Sequence, residues 1–286
     1  MLLLDGKKIL VTGVLSESSI ACQVARIAQE EGAEILLTSP AQVMKATRRV
    51  SKRLLGNVDV LPFDVTSADD VVAVGEELRS RWGRVDGALH AIGFAPPRCF
   101  GNTVMGAEWE DVSAAMAVSC YSLKTLAAVV RPLMQDGGGS IVALSVDPSR
   151  AWPYYDWMGV MKGALEVLAR YLARDLGQEQ IRVNVVRAGP LRTVASRAVP
   201  ELLPFFTKMA EARAPLGWSS TDCLPVARAC ILFLSDMLSA TTGDVVNVDG
   251  GAHAMGADPQ YAAEEPDAEP TPEPARALHA FAGGGR

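Results

Sequence analysis

The sequence predicts a single doubly wound α/β domain, with seven parallel strands in one sheet and helices on both faces. Three observations carry this prediction. Short apolar runs rich in Val, Ile and Leu alternate along the chain with longer stretches of helical period. Most of these runs are followed by a Gly, Pro or Asp, where a strand hands over to a turn. The run Ile141 to Leu144 is apolar throughout, as a parallel strand buried on both faces is.

In chain order, Lys8-Ile9-Leu10-Val11 reads as the first strand and Thr12-Gly13 ends it. A helix opens at Ser19-Ile20-Ala21 and runs to Glu31, with Gly32 as its stop. The second strand is Ala33 to Leu37, followed by a helix near Gln42–Leu55; the third is Val58 to Leu61. Asp64-Val65-Thr66 forms a turn, and Ser67 with Asp70 gives the pattern of a capped helix start. Strand four is Gly87 to Ile92, closed by Gly93, and one long helix is expected from about Trp109 to Met134. Ser140 to Leu144 is the fifth strand, and a helix from about Tyr155 runs to Leu176. Arg182 to Val186 is the sixth strand, ending in Ala188-Gly189-Pro190. Residues 191–218 read as irregular and apolar; a helix near Leu224–Ser235 and a last strand, Asp244 to Val248, complete the pattern. Six helical segments thus alternate with seven strands, in one domain spanning residues 1–257 with no internal repeat.

Composition narrows the function. The 286 residues are 49% hydrophobic, enough for a sizeable core, and the net charge of −6 argues against a nucleic-acid partner. No run of eighteen uncharged apolar residues occurs, and the N-terminus lacks the pattern of a signal peptide, so a cytoplasmic protein with no membrane association is expected. Five scattered cysteines without a C-x-x-C pair and three well-separated histidines suggest neither a disulfide framework nor a metal site. Residues 258–286 carry six acids against two arginines, leaving only −2 for the other 257 residues. This Pro/Ala/Glu-rich tail is expected to be disordered.

Two stretches carry chemistry. In Ser145–Lys162, Tyr155 and Lys162 stand two helical turns apart, on one face and about 10.5 Å apart along the axis. An ammonium near a phenol favours phenolate character and makes the tyrosine a better proton donor. Taken alone, such a pair is more often decoration on an amphipathic helix. The second stretch is the first turn, where Gly13 permits a tight bend and the helix N-terminus at Ser19-Ile20 offers amides and a positive dipole to a pyrophosphate. The Ser19 hydroxyl is expected to add a hydrogen bond. After the second strand, Thr38-Ser39-Pro40 lacks both an acidic residue and an adjacent arginine, so this position does not choose between NADH and NADPH.

Together these motifs build a resemblance. Tyr-x6-Lys, Gly-x5-Ser-x-Ala, Asp64-Val65, His90-Ala91-Ile92-Gly93-Phe94, Ala188-Gly189-Pro190-Leu191-Arg192-Thr193, Thr241-Thr242-Gly243-Asp244 and Val248-Asp249-Gly250-Gly251 occur in one chain. Over roughly residues 2–257 the set resembles the enoyl-(acyl-carrier-protein) reductases of the short-chain dehydrogenase/reductase superfamily, especially the actinobacterial and mycobacterial type. Commoner members of that superfamily place the tyrosine four residues before the lysine, where this chain has Met158.

The resemblance implies a Rossmann-type fold binding NADH, with the pyrophosphate at Gly13, Ser19 and Ile20 and the adenine near Asp64 and Val65. Ala91, Ile92 and Gly93 would line the cofactor near its middle. Gly189 and Leu191 would contact the cofactor, Thr193 would help seat its pyrophosphate or its carboxamide end, and Lys162 would hold the nicotinamide ribose hydroxyls. Tyr155 would hydrogen-bond the thioester oxygen of a trans-2-enoyl substrate carried by acyl-carrier protein or coenzyme A. Val146, Met158, Phe205 and Phe206 would contact that substrate, with residues 194–218 closing over the acyl chain. A homotetramer assembled through the helices near 109–134 and 155–176 is implied as well.

Four positions depart from the family pattern. Val146 replaces an aromatic, Ala91 a serine, Ala117 a common histidine and Arg187 a small residue. They leave open a paralogue acting on a natural-product intermediate, or an inhibitor-resistant isozyme.

Overall fold

The computed structural model describes residues 2–256 apart from 102, 135–136, 195 and 197–201. The expected tail, 258–286, therefore lies outside the described residues. Seven strands form one sheet: β1 (Lys8–Val11), β2 (Glu34–Ser39), β3 (Val60–Pro62), β4 (Gly87–His90), β5 (Gly139–Ser145), β6 (Ile181–Ala188) and β7 (Val245–Val248). Their order is β3-β2-β1-β4-β5-β6-β7, and every neighbouring pair is parallel. The fold class predicted from sequence is the one observed.

Alternation along each strand divides the core into two layers. Ile9 and Val11 face one side, with α1 (Ile20–Glu30), α2 (Met44–Ser51) and α8 (Leu224–Leu234) covering them. Leu10, Ile141 and Val183 face the other side, under α3 (Ala68–Trp82), α5 (Ser122–Val130) and α6 (Asp156–Leu176). Both faces are sealed, which is why the strands read as continuous apolar runs.

Three expectations are corrected. The helix expected over Trp109–Met134 is divided: α4 (Trp109–Met116) passes through a π-helical turn, Ala117–Tyr121, into α5, and a 3₁₀ turn, Arg131–Leu133, ends it. By length and composition Trp109–Leu133 is apolar enough to cross a membrane, yet more than half of it is buried inside the domain. Its apolar residues, Leu123, Leu126 and Val130 among them, belong to the core under the sheet. The segment expected to be irregular contains α7 (Leu202–Arg213), with Pro204 in its first turn, where a missing amide costs the helix nothing. The third strand lies two residues later than its expected start and ends on Pro62, as an edge strand tolerates.

Candidate active site

Strand order reverses between β1 and β4, and ligands of doubly wound sheets bind in the crevice at such a point. The chain is tightly tied there. Thr12 Oγ1 donates to the Leu89 carbonyl at 2.8 Å and accepts from the Ala91 amide at 2.9 Å, closing the ends of β1 and β4 together. Gly13 has φ +79°, and a Cβ on it would run into the Ala91 carbonyl oxygen. Only glycine fits this turn without displacing main chain. The floor it leaves is open to a ligand approaching the start of α1. Ser19 caps that helix, accepting from the Cys22 amide at 3.2 Å. Its own proton goes to the Ser16 carbonyl at 2.7 Å, so the extra hydrogen bond expected of it is already committed within the turn.

Tyr155 and Lys162 project into the same crevice from the first turns of α6. Tyr155 is the residue just before the helix, between two non-glycine residues of positive φ: Tyr154 at 65° and Asp156 at 33°. Such conformations are uncommon away from functional sites. Burial raises the Tyr155 phenol above its ordinary pKa, with no lowering contribution from Lys162. Lys162 Nζ donates to the Leu144 carbonyl at 3.0 Å, at the end of β5. Burial also lowers Lys162 from 10.5 to about 8, partly offset by Cys120 and Glu166. A Cβ on Gly93 would stand 3.8 Å from Lys162 Nζ, so the ammonium sits against the β4 turn. That turn is held by Ser119 in the π-helical stretch, whose hydroxyl accepts from the Phe94 amide (2.9 Å) and donates to the Phe94 carbonyl (2.7 Å).

The wall beyond Tyr155 is apolar. Phe206 of α7 meets Trp152 edge-on at 5.4 Å and Tyr155 at 6.3 Å between ring centroids, and Met158 also lines the cleft. Trp218 packs over Gly189, where any Cβ would collide with the indole, and donates to the Pro190 carbonyl at 2.8 Å. Trp152, Tyr155, Met158, Gly189, Pro190 and Phe206 are among the residues that bound a cavity of about 340 Å³.

A sequence-family model described as Enoyl-(Acyl carrier protein) reductase matches residues 13–253. The chain belongs to the enoyl-(acyl-carrier-protein) reductase family. It is 41% identical over 263 residues to the enoyl-(acyl-carrier-protein) reductase (NADH) of Mycolicibacterium smegmatis, covering 87% of this chain and 97% of that one. The like-named protein of Mycobacterium avium is 37% identical over 262 residues, with the same coverage. A reductase of that description from Neisseria meningitidis serogroup B is 37% identical over 250 residues, covering 87% of this chain and 95% of its own.

Within this family member, the cleft brings together Gly13, Ser19, Ile20, Ala91, Ile92, Gly93, Val146, Tyr155, Met158, Lys162, Gly189, Leu191, Thr193 and Phe206. Three expected residues stand outside its lining. Asp64 and Val65 lie past the edge strand, and Asp64 Oδ1 is taken up by the amide and hydroxyl of Thr66 in the turn before α3. Phe205 is 41% exposed and packs edge-on against Phe206, behind the wall instead of on it. Trp152 and Ser145 line the cleft without having been singled out. Trp152 follows an Arg-Ala pair in a loop, and no local pattern marks it. Ser145 ends the strand beside Val146, a place where side chains face ligand in this fold.

Proposed function

We propose that this protein is an NADH-dependent enoyl-thioester reductase of the fatty-acid type, acting on trans-2-enoyl groups carried by acyl-carrier protein or coenzyme A. The observation that carries the reading is the placement of Tyr155 and Lys162 in one cleft with the Gly13 turn and the apolar wall at Phe206. The residues fit a dinucleotide. The turn needs glycine because main chain closes on it, and the first amides of the eleven-residue α1 face the crevice where a pyrophosphate would be held. Gly93, Leu191 and Thr193 continue that surface toward Lys162.

NADH, when bound, would supply the hydride for the β-carbon of the substrate. Lys162 would hold the nicotinamide ribose hydroxyls. Tyr155 donates a hydrogen bond to the thioester oxygen as negative charge grows there, where a fixed donor contributes most to rate. Burial keeps the phenol protonated and therefore a donor at neutral pH. Trp152, Met158 and Phe206 exclude water and hold the acyl chain. The names of the relatives support fatty-acid reduction over a natural-product role. Beyond that, we place the protein in the cytoplasm as a homotetramer. Exposed Trp109, Tyr121, Val160 and Tyr171 on α4, the π-helical turn and α6 support the assembly, and the five buried, unpaired cysteines support a reducing compartment.

The test is NADH oxidation with crotonyl and dodecenoyl thioesters. Turnover with at least one is expected, and Tyr155→Phe lowers kcat by about 10²–10³ with NADH affinity retained. Tight NADH binding without turnover of either thioester refutes the reading. Unchanged turnover in Tyr155→Phe refutes the mechanism.

A further inference from the structure

A carboxylate is buried one helical turn beyond Lys162. Glu166 is 3% exposed and stands at i+4 from Lys162 on α6, a spacing at which the two side chains can meet on one helix face. Among the described residues, however, no ion pair joins them. Glu166 is fully engaged from the other side: Oε1 accepts from Ser145 Oγ at 2.8 Å and from Arg187 Nε at 2.8 Å, and Oε2 accepts from Arg187 Nη2 at 2.6 Å. Ser145 and Arg187 are register partners on β5 and β6, so adjacent strand ends grip the carboxylate together. A second carboxylate oxygen, Asp147 Oδ1, lies 3.7 Å from Arg187 Nη1. Lys162 meanwhile points to Leu144, on the cofactor side of the helix.

We propose that Arg187 is a positioning residue for the reduction: by occupying both oxygens of Glu166, it prevents that carboxylate from capturing Lys162. The ammonium is thereby reserved for the cofactor ribose. This rests on the reading above, in which Lys162 binds that ribose. The physical argument is competition for a buried anion. A carboxylate sealed from water needs a charged partner, and removing Arg187 leaves it only the Ser145 hydroxyl and the pull of a neighbouring cation on the same helix face. That cation is Lys162, whose four-carbon stem is flexible enough to turn toward it. Glu166 already acts electrostatically on Lys162, raising its pKa against the effect of burial. The planar guanidinium fork can satisfy both oxygens at once, as an ammonium cannot.

The experiment measures the NADH dissociation constant by fluorescence titration of the full chain. The proteins are the wild type, Arg187→Met, Glu166→Gln and the double variant, with unfolding followed in each. Arg187→Met is expected to weaken NADH binding about tenfold or more, the loss of one charge-assisted hydrogen bond. The double variant, which has no carboxylate left to attract Lys162, is expected to return to within about threefold of wild type, even if its melting temperature stays low. Unchanged NADH affinity in Arg187→Met overturns the proposal. So does a double variant that binds no better than the single one, since Arg187 would then act through the fold or through its own place in the cleft lining, and not through Glu166. If Arg187→Met does not fold, Arg187→Gln, which keeps a donor without the charge, makes the same comparison with and without Glu166→Gln under the same criteria. The wild type separates the two levels. NADH binding without enoyl turnover removes the enoyl reading but leaves the affinity comparison intact, whereas no NADH binding removes both.

Discussion

The turn at Gly13 gives a prediction whose size follows from the coordinates. Gly13→Ala places a Cβ on a residue at φ +79°, a conformation costing an L-residue about 1–2 kcal/mol. The added atom meets the Ala91 carbonyl, and since that obstacle is main chain, no side-chain rotation relieves the contact. Relief requires β1 and β4 to part, which strains the two hydrogen bonds through Thr12 Oγ1, each contributing about 0.5–1.5 kcal/mol. The sum is about 2–5 kcal/mol, or a drop in melting temperature of roughly 4–20 °C for a domain of this size. Thermal and urea unfolding measure it, and an NADH titration should show weakened binding as the crevice floor moves. Gly75, inside α3 with nothing within 4 Å of a built Cβ and no positive φ, is the control. Gly75→Ala should stabilise by about 0.5–1 kcal/mol. A Gly13→Ala protein within about 0.5 kcal/mol of wild type, binding NADH unchanged, would refute both the strain and the cradle.

Three further outcomes are expected. Lys162 titrates at about 8 in the free protein, so kcat/KM should be level below that pH and fall as pH rises through it and the ammonium is lost; a flat profile to pH ~10 contradicts the assignment. His90 is fully buried and its pKa is pushed down from 6.5 to about 3, so the unfolded chain binds the extra proton between those values. Stability contributed by the neutral ring is then present above about 6.5 and lost as pH falls toward 3, by on the order of 5 kcal/mol at the limit. Urea unfolding at several pH values should show that slope, and His90→Gln should flatten it. Phe206→Ala removes three edge-on contacts, each contributing about 0.5–1.5 kcal/mol, and should raise KM for a dodecenoyl thioester more than for a crotonyl one. Equal effects on both substrates would take Phe206 off the acyl path.

Much of this was legible in the sequence, for identifiable reasons. Strands buried on both faces, such as Ile141 to Leu144, leave uninterrupted apolar runs in the sequence. Local signals also carried the Gly13 turn and the Tyr155–Lys162 spacing. Features that depend on distant partners were not legible. The π-helical turn at Ala117–Tyr121 contains neither Gly nor Pro; its visible tie is the Ser119 hydroxyl on the Phe94 backbone, 25 residues away. Pro204 reads as a helix breaker in isolation, although it stands in the first turn of α7. The Ser145–Glu166–Arg187 network joins three elements, and no short motif encodes it. Arg187 was visible only as an odd residue beside Ala188-Gly189-Pro190.

The segment from Thr193 to Trp218 is anchored at both ends. Thr193 and Ser196 bond each other at its start; at its finish the Trp218 indole is fixed to Pro190, and the Leu216 amide to the Gly250 carbonyl. The finish of the segment is thus tied to the loops that follow β6 and β7, outside the strands themselves. Closing a longer loop between fixed ends costs little, about 0.6 kcal/mol for each doubling. If the segment encloses the acyl group as proposed, its length can set how long or bulky a group fits while the strand ends keep their geometry.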